Sequence, residues 1–183
     1  MVESTSPRAC YPGSFNPCTI AHLGIADAAR QQLGVVSVEL VISESALGKP
    51  EVDGPSAQVR ARAIDQHCGS RPWLAASVTK HRLLADIAIG FDWLIIGADK
   101  WAQLIDPIWY DDAKHRSVAL SRLPALAIAP RPPSPMPTDD DLNMLAGSLP
   151  GPLRVRQLLV PDLFAEISST AVRRGRSDWQ ATG

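Results

Sequence analysis

The sequence has almost no net charge, few cysteines and no long apolar segment, and each of these shortages excludes a class of protein. Among 183 residues, 18 are Lys or Arg and 19 are Asp or Glu, which gives a formal net charge of −1. A global positive field that would attract nucleic acid or an anionic membrane is therefore absent. No apolar run approaches the roughly 18 residues that a membrane span requires. Any phosphate site must be built locally, from particular residues.

Cysteine occurs only at positions 10, 18 and 68. An odd number at unrelated spacings fits neither a disulfide framework nor a zinc site, so Cys10, Cys18 and Cys68 are interpreted as reduced thiols. Residues 1–7 are polar and lack the apolar stretch of a signal peptide. Together these features predict a cytoplasmic protein with no metal site of its own and with no nucleic-acid or membrane partner.

Strand-like and helix-like segments alternate along the chain, without internal repeats. Short apolar and β-branched segments predict strands at 8–11, 35–42, 73–76, 91–96, 118–121, 126–129 and 153–160. Helical spacing and capping residues predict helices at 20–33, 56–66, 79–88, 139–146 and 167–174. The alternation predicts an α/β fold, a Rossmann-like doubly wound parallel sheet with right-handed crossovers.

The chain length suits one domain, which we place at residues 1–183. Within it, residues 130–138 are too rich in proline for a helix or a strand and are expected to form an extended connector. Residues 104–112, which include Trp109, show no regular pattern.

The segment Gly13–His22, with the sequence GSFNPCTIAH, joins the first predicted strand to the first predicted helix. That junction is the carboxyl edge of a parallel sheet, where ligands of α/β proteins usually bind. Gly13 permits close approach to the backbone, and the first helical turn offers unpaired N–H groups and a positive dipole end. Thr19 and His22 are three residues apart, so both can reach the same phosphates. A plain strand–turn–helix link with an incidental histidine is the alternative, and the complete string at this junction favours the phosphate site.

A second hydroxyl-rich segment, Ile167–Arg173 (ISSTAVR), opens the last predicted helix. Hydroxyls at a helix start cap the helix or bind phosphate. Arg173 lies one turn after Thr170, where its planar cation can reach the same anion. By itself the segment is also compatible with an ordinary capped helix. The presence of both motifs at opposite ends of one short chain argues against coincidence.

The two motifs resemble the signatures of the nucleotidyltransferase superfamily that is related to class I aminoacyl-tRNA synthetases. YPGSFNPCTIAHL is similar to the (H/T)xGH signature, with Thr19 at its first position and His22 at its last, and ISSTAVR is similar to ISSTxxR. Phosphopantetheine adenylyltransferases carry YPGSFDPxTxGH, and nicotinamide/nicotinate mononucleotide adenylyltransferases carry GxFNPxTxxH. Asn16, and Ala21 in place of glycine, agree better with the second branch.

The middle of the chain resembles the same branch at three places. IIGADKWAQL, residues 95–104, is similar to a GAD segment, which implies that Gly97 and Asp99 face the cleft, with Asp99 contacting a ribose or capping the next helix. PIWYDD, residues 107–112, is similar to a P-x-W segment and makes Trp109 the candidate for stacking on the pyridine ring. SESALGKP, residues 43–50, is similar to a loop with a lysine near the phosphates, here Lys49. A core or surface tryptophan and a solvated lysine are the alternatives.

The resemblance thus implies a complete set of site residues. Catalysis is assigned to His22, Lys49 and Arg173. Contacts with ATP are assigned to Gly13, Ser14, Phe15, Thr19, His22, Gly97, Asp99, Ser169, Thr170 and Arg173. Contacts with the acceptor are assigned to Asn16, Lys49 and Trp109. The resemblance also implies a further helix after the ISST motif; only about ten residues follow Arg173 here, so we expect this pocket to be closed differently.

The implied reaction is transfer of AMP from ATP to nicotinate or nicotinamide mononucleotide with release of pyrophosphate, as in NAD biosynthesis. Mg²⁺ is expected to enter with ATP and to keep several waters, without a dedicated carboxylate cage. One alternative is a phosphopantetheine adenylyltransferase of coenzyme A biosynthesis, and another is a non-catalytic nucleotide-binding relative. A cytidylyltransferase is disfavoured because no segment resembles the RTEGIST-type ending of that branch. The expected partners are small molecules, ATP and a phosphate-bearing mononucleotide, and the sequence leaves open whether the chain forms a homo-oligomer.

Overall fold

Six parallel strands form one sheet at the centre of the molecule, in a computed structural model that describes residues 6–45, 47–48, 54–67 and 69–181. The strands are β1 Arg8–Pro12, β2 Ser37–Ser43, β3 Leu74–Thr79, β4 Trp93–Gly97, β5 Ala125–Ala129 and β6 Val155–Gln157. Their order is β3-β2-β1-β4-β5-β6, and every neighbouring pair is parallel. The order therefore reverses between β1 and β4, and such a switch point is where open α/β sheets bind ligands.

Helices cover both faces of the sheet. They are α1 Ile20–Leu33, α2 Ala57–His67, α3 Leu84–Ile87, α4 Trp101–Ile105, α5 Ala113–Leu120, α6 Asp139–Ala146 and α7 Ser169–Arg173. The described residues also form short 3₁₀ turns at Ala98–Lys100, Pro107–Trp109, Asp162–Ala165 and Ser177–Trp179. None of the helices in the described ranges is long and apolar enough to span a bilayer.

Alternating side chains of the strands divide the core into two clusters, because successive residues of a strand point to opposite faces. Ala9, Tyr11 and Ile95 pack with α1 and α2 on one face. Cys10 and Leu94 pack with helices α3 to α6 on the other. The fold expected from the alternation of strands and helices, a Rossmann-like doubly wound sheet in a single domain, is confirmed.

Helix α1 begins and ends where the sequence predicted, because both ends carry strong local signals. Thr19 is the N-cap, and its hydroxyl accepts a hydrogen bond from the backbone N–H of His22. Gly34 ends the helix in the left-handed conformation, with φ of 66°, which glycine adopts without a Cβ penalty.

Two local predictions were wrong, because a helix cap decided the first and strand pairing decided the second. Residues 118–121, predicted as a strand, lie at the end of α5, whose N-terminus is capped by the Asp112 carboxylate at 2.6 Å from the His115 N–H. The predicted helix 79–88 is confined to α3, because Thr79 still pairs in β3. Residues 104–112 contain the end of α4 and a 3₁₀ turn.

The connector at 130–138 contains no helix or ladder strand, and Arg131 and Ser134 form an isolated bridge within it. Thr138 ends this segment as the N-cap of α6. Its hydroxyl accepts from the Asp141 N–H, while the Asp141 carboxylate accepts from the Thr138 N–H at 2.8 Å. The cap of α6 is therefore Thr138 rather than the aspartates that follow it.

A buried thiol in the central strand makes stability depend on alkaline pH. Burial raises the pKa of Cys10 to about 12 from an ordinary 9.0. Above pH ~9 the unfolded chain releases this proton and the folded chain keeps it, so unfolding becomes easier as pH rises through this window. We expect the free energy of unfolding of the wild type to fall by about 1 kcal/mol more between pH ~9 and ~10 than that of Cys10→Ala. Urea titrations at both pH values measure these free energies. An equal decrease for the wild type and Cys10→Ala would contradict the prediction.

Candidate active site

A cleft of about 300 Å³ opens at the carboxyl ends of β1, β2, β4 and β5, at the switch point of the sheet. Both sequence motifs and the GAD segment contribute to its wall. The predicted site residues that line it are Gly13, Ser14, Phe15, His22, Gly97, Asp99, Ser169, Thr170 and Arg173. The structure therefore brings nine of the predicted residues, from three separate parts of the chain, to one cavity.

The loop between β1 and α1 is held by donors from distant parts of the chain. The carbonyl of Ser14 accepts from the Arg60 guanidinium, and that of Asn16 accepts from the Arg173 guanidinium. The Pro17 carbonyl accepts from the Ser169 hydroxyl at 2.8 Å. The Cys18 carbonyl accepts from the backbone N–H of Ala181 at 3.0 Å, beside a Thr19–Gln180 bridge. Four carbonyls of one short loop are thus bound by donors from α2, α7 and residue 181, which fixes the loop.

Phe15 turns the loop sharply and is itself buried. Its φ of 42° lies in the left-handed region, which non-glycine residues adopt at a cost of order 1–3 kcal/mol when the surroundings hold them there. The Phe15 ring lies edge-to-face with Tyr11 and His22, at centroid distances of 5.5 and 4.9 Å. It also covers Gly13, where an added Cβ would be 2.6 Å from Cζ of the ring. Gly13 is therefore required for the packing of Phe15 as well as for an open cradle.

His22 and Thr19 form a reciprocal capping box at the start of α1. The Thr19 N–H donates to Nδ1 of His22 at 3.0 Å, and the Thr19 hydroxyl lies 2.9 Å from the same atom. Because Nδ1 accepts a hydrogen bond, the neutral imidazole carries its proton on Nε2. The half-buried ring lines the cleft. His22 is therefore a donor through Nε2, with an orientation fixed by Thr19.

Helix α7 presents the second motif to the loop. Ser168 caps the helix, with its hydroxyl accepting from the Ala171 N–H at 3.1 Å. The exposed Arg173 spans the Asn16 carbonyl and the Thr170 hydroxyl, the latter at 3.1 Å. The C-terminal motif thus contacts the N-terminal motif directly.

Gly97 and Asp99 lie at the end of β4, in the wall of the cleft. A Cβ added at Gly97 would collide with Oδ1 of Asp99, so glycine is required for that carboxylate to fold back over the strand end. Next to it, Lys100 donates to Gln103 at 2.9 Å, and Gln103 donates to the Leu47 carbonyl at 3.0 Å. These two bonds connect the GAD segment to the loop after β2.

Three of the predicted residues lie elsewhere than expected. Thr19 is fully buried and caps α1, so its side chain supports His22 and does not line the cleft. Asn16 is also buried and faces a smaller neighbouring cavity of about 160 Å³. Trp109 packs against the second core cluster and against Gly48, where an added Cβ would be 2.7 Å from its ring. Lys49 lies outside the described residues, so its place in the site stays a prediction.

Three basic residues of the cleft, Arg82, Lys100 and Arg131, were not among the residues assigned to the site from the sequence. Arg131 follows β5, and its guanidinium donates to the carbonyls of Phe164 and Ile167 at 3.2 and 2.8 Å. It thereby ties the connector to the segment that leads into α7. The sequence contained a signal for Arg131 as a site residue. It follows a predicted buried strand, which places it at the same sheet edge as Gly13 and Gly97.

The cleft is electrostatically suited to anions. Four cationic side chains, Arg82, Lys100, Arg131 and Arg173, line it, against one carboxylate, Asp99, among the described residues. At its floor, burial raises the pKa of Tyr11 well above the ordinary value, so this hydroxyl stays protonated. An excess of positive charge within walls of low dielectric concentrates anionic ligands.

The sequence matches the family model described as cytidylyltransferase-like over residues 10–175. The chain belongs to the cytidylyltransferase-like family. It is therefore a nucleotidyltransferase, and the superfamily expected from the two motifs is confirmed. A search of curated protein sequences finds no match.

Two solved structures with a similar fold are complexes of nicotinic acid mononucleotide adenylyltransferase from Plasmodium falciparum. The complex with APC gives a TM-score of 0.58 at 14% identity, and the complex with NaAD gives 0.61 at 13%. Each alignment covers 92% of this chain and 83% of the other. At this level of identity the likeness shows a shared fold over nearly the whole nucleotidyltransferase chain.

We predict that Arg131 stabilises the return of the chain to α7. In Arg131→Met the Phe164 and Ile167 carbonyls lose their charged donor, and we expect the free energy of unfolding to fall by about 1 to 2 kcal/mol. Urea denaturation measures the loss, with Arg122→Met as the control because Arg122 is an exposed arginine just after α5. If both variants unfold at the wild-type midpoint, the assigned role of Arg131 is wrong.

Proposed function

We propose that this nucleotidyltransferase transfers AMP from ATP to nicotinate or nicotinamide mononucleotide and releases pyrophosphate. The observation that carries the proposal is the direct contact of the two motifs across 157 sequence positions, between Arg173 and Asn16, at the edge of a cationic cleft. The choice of acceptor is supported by the sequence string around Asn16 and by the two similar structures, which are of a nicotinic acid mononucleotide adenylyltransferase.

In this reaction a phosphate oxygen of the mononucleotide attacks the α-phosphorus of ATP in line. A bond forms between that oxygen and the α-phosphorus, the bond from the α-phosphorus to the bridging oxygen breaks, and pyrophosphate leaves. A phosphate monoester has its second pKa near ~6 and is already largely dianionic at neutral pH, so no general base is needed. Catalysis then depends on positioning and on stabilisation of charge.

The residues of the cleft supply that stabilisation. Nε2 of His22 donates to a phosphate oxygen, while Nδ1 remains bound to Thr19. Arg173 places its cation at the same phosphates, and the backbone of residues 13–15 and the N-terminus of α1 face them. Lys49, Ser169 and Thr170 keep the phosphate-binding roles that the motifs imply. Asp99 is proposed to contact the ribose of ATP.

Mg²⁺ enters this scheme with ATP, as part of the substrate. Among the described residues no three His, Cys, Asp or Glu side chains are grouped to hold a metal, and Asp99 is the one carboxylate of the described cleft wall. This lining fits an ion that is bound mainly by phosphate oxygens and water. The ion supplies charge neutralisation on the leaving pyrophosphate.

Trp109 requires a rearrangement to act as the proposed pyridine-stacking residue. Its ring lies against Gly48, next to Leu47, which does line the cleft. The proposal therefore places the acceptor base on the side of the cleft formed by the loop after β2. Asn16 is proposed to support the acceptor through the loop backbone, since its side chain is buried.

The experiment is pyrophosphate release from MgATP with nicotinate mononucleotide, nicotinamide mononucleotide or phosphopantetheine, and with MgCTP in place of MgATP. We expect release with MgATP and a pyridine mononucleotide. Release only with phosphopantetheine identifies the coenzyme A branch, and release only with CTP identifies a cytidylyltransferase. Binding of MgATP without any release contradicts the proposal and favours a non-catalytic relative.

Two substitutions of His22 separate catalysis from capping. His22→Ala removes both ring nitrogens, whereas the Oδ1 atom of Asn in His22→Asn can replace Nδ1 as the acceptor for Thr19. We expect both variants to lose about 100-fold or more in kcat/KM, because both lack the Nε2 donor. Only His22→Ala should also lose stability, by about 1 kcal/mol. Wild-type kcat/KM in His22→Asn would exclude His22 from catalysis.

A further inference from the structure

Arg60, on α2, is bound to the phosphate loop although it belongs to neither motif. Its guanidinium donates to the Ser14 carbonyl through Nη1 and to the Pro55 carbonyl through Nε, the latter at 3.1 Å. The side chain is half-buried, and desolvation lowers its pKa from the ordinary value. It lines the smaller cavity beside Phe15 and Asn16 and is not among the residues of the main cleft.

The position of Arg60 fixes one peptide unit of the loop. The bond between Ser14 and Phe15 is a planar trans peptide, so its C=O and its N–H point in opposite directions. The Ser14 carbonyl points toward Arg60 and the small cavity. The N–H of Phe15 therefore points to the opposite side of the loop, where Ser14 and Phe15 line the main cleft.

The left-handed conformation of Phe15 makes this unit sensitive to its anchor. Its φ of 42° is a costly conformation that persists only where neighbouring contacts hold it. The residues on either side of Phe15 each have a carbonyl bound by a guanidinium. Arg60 binds the carbonyl of Ser14, and Arg173 binds that of Asn16. Without the Arg60 hydrogen bond, the peptide between Ser14 and Phe15 could rotate and turn the Ser14 carbonyl oxygen toward the cleft. That oxygen would then repel an anion in the cleft.

We propose that Arg60 is a positioning residue that aims the N–H of Phe15 at a phosphate in the cleft without touching the ligand. Backbone N–H groups that converge at a tight turn form a concavity for anions. The inference rests on the proposed function in one respect, that the anion is a polyphosphate of the nucleotide. The planar guanidinium of Arg60 binds the Ser14 and Pro55 carbonyls at once. The ammonium of a lysine is a point charge and lacks this geometry, so lysine cannot replace Arg60 in this role.

The test separates phosphate recognition from recognition of the rest of the nucleotide. Dissociation constants are measured by calorimetry for inorganic tripolyphosphate and for adenosine, with wild type, Arg60→Met, Arg60→Lys and Arg62→Met. Arg62 is the matched control, because it is an exposed arginine on the same helix. We expect Arg60→Met to bind tripolyphosphate about tenfold more weakly, with adenosine binding and the Arg62→Met variant at wild-type values.

The outcomes distinguish this inference from the proposed function. Unchanged tripolyphosphate binding in Arg60→Met, or an equal loss for adenosine, overturns the positioning role, and so does a wild type that does not bind tripolyphosphate. Tripolyphosphate binding that depends on Arg60, in a protein that releases no pyrophosphate, supports the inference while the proposed function fails. If Arg60→Met does not fold, Arg60→Lys decides: weaker tripolyphosphate binding with unchanged adenosine binding supports the role, and wild-type values for both overturn it.

Discussion

Hydrogen bonds to the carbonyls of residues 14, 16, 17 and 18 are the constraint on which the rest of the site depends. A phosphate site at a helix N-terminus needs its N–H groups turned toward the ligand, and the carbonyls must then find donors on the other side. Here the donors come from α2, α7 and residue 181. A carbonyl left without a donor when buried costs about 1–3 kcal/mol. The loop therefore takes its shape only when those distant segments have docked on it.

The parallel sheet explains why docking can occur at all. Because all six strands are parallel, their carboxyl ends meet at one edge, and the reversal of strand order between β1 and β4 leaves a crevice there. The chain then crosses from β5 through a proline-rich segment and returns to that edge at α7. Arg131 anchors the return by binding two carbonyls just before α7. The candidate site thus joins the two ends of the family-matched region.

Much of the fold was predictable because its signals are local. The bounds of α1 followed from the helical spacing and the stop at Gly34, and β5 is a continuous apolar segment that is fully buried. Prediction failed at residues 118–121, where a short apolar run fits either a strand or a buried helix turn and the cap at Asp112 decides for a helix. The local pattern also did not predict boundaries that depend on strand pairing. Strand β3, for example, extends to Thr79 because it pairs with β2.

The sequence by itself determined the fold class, the family and the two motifs, since residue type and spacing specify periodicity, caps and phosphate chemistry. Tertiary structure decided the direction of each side chain. Trp109 is packed against Gly48, and Arg60 and Arg131 are recruited from outside the motifs. The physical reason is that hydrogen-bond satisfaction and close packing are settled between segments far apart in the chain. No local pattern records which distant donor a given carbonyl will find.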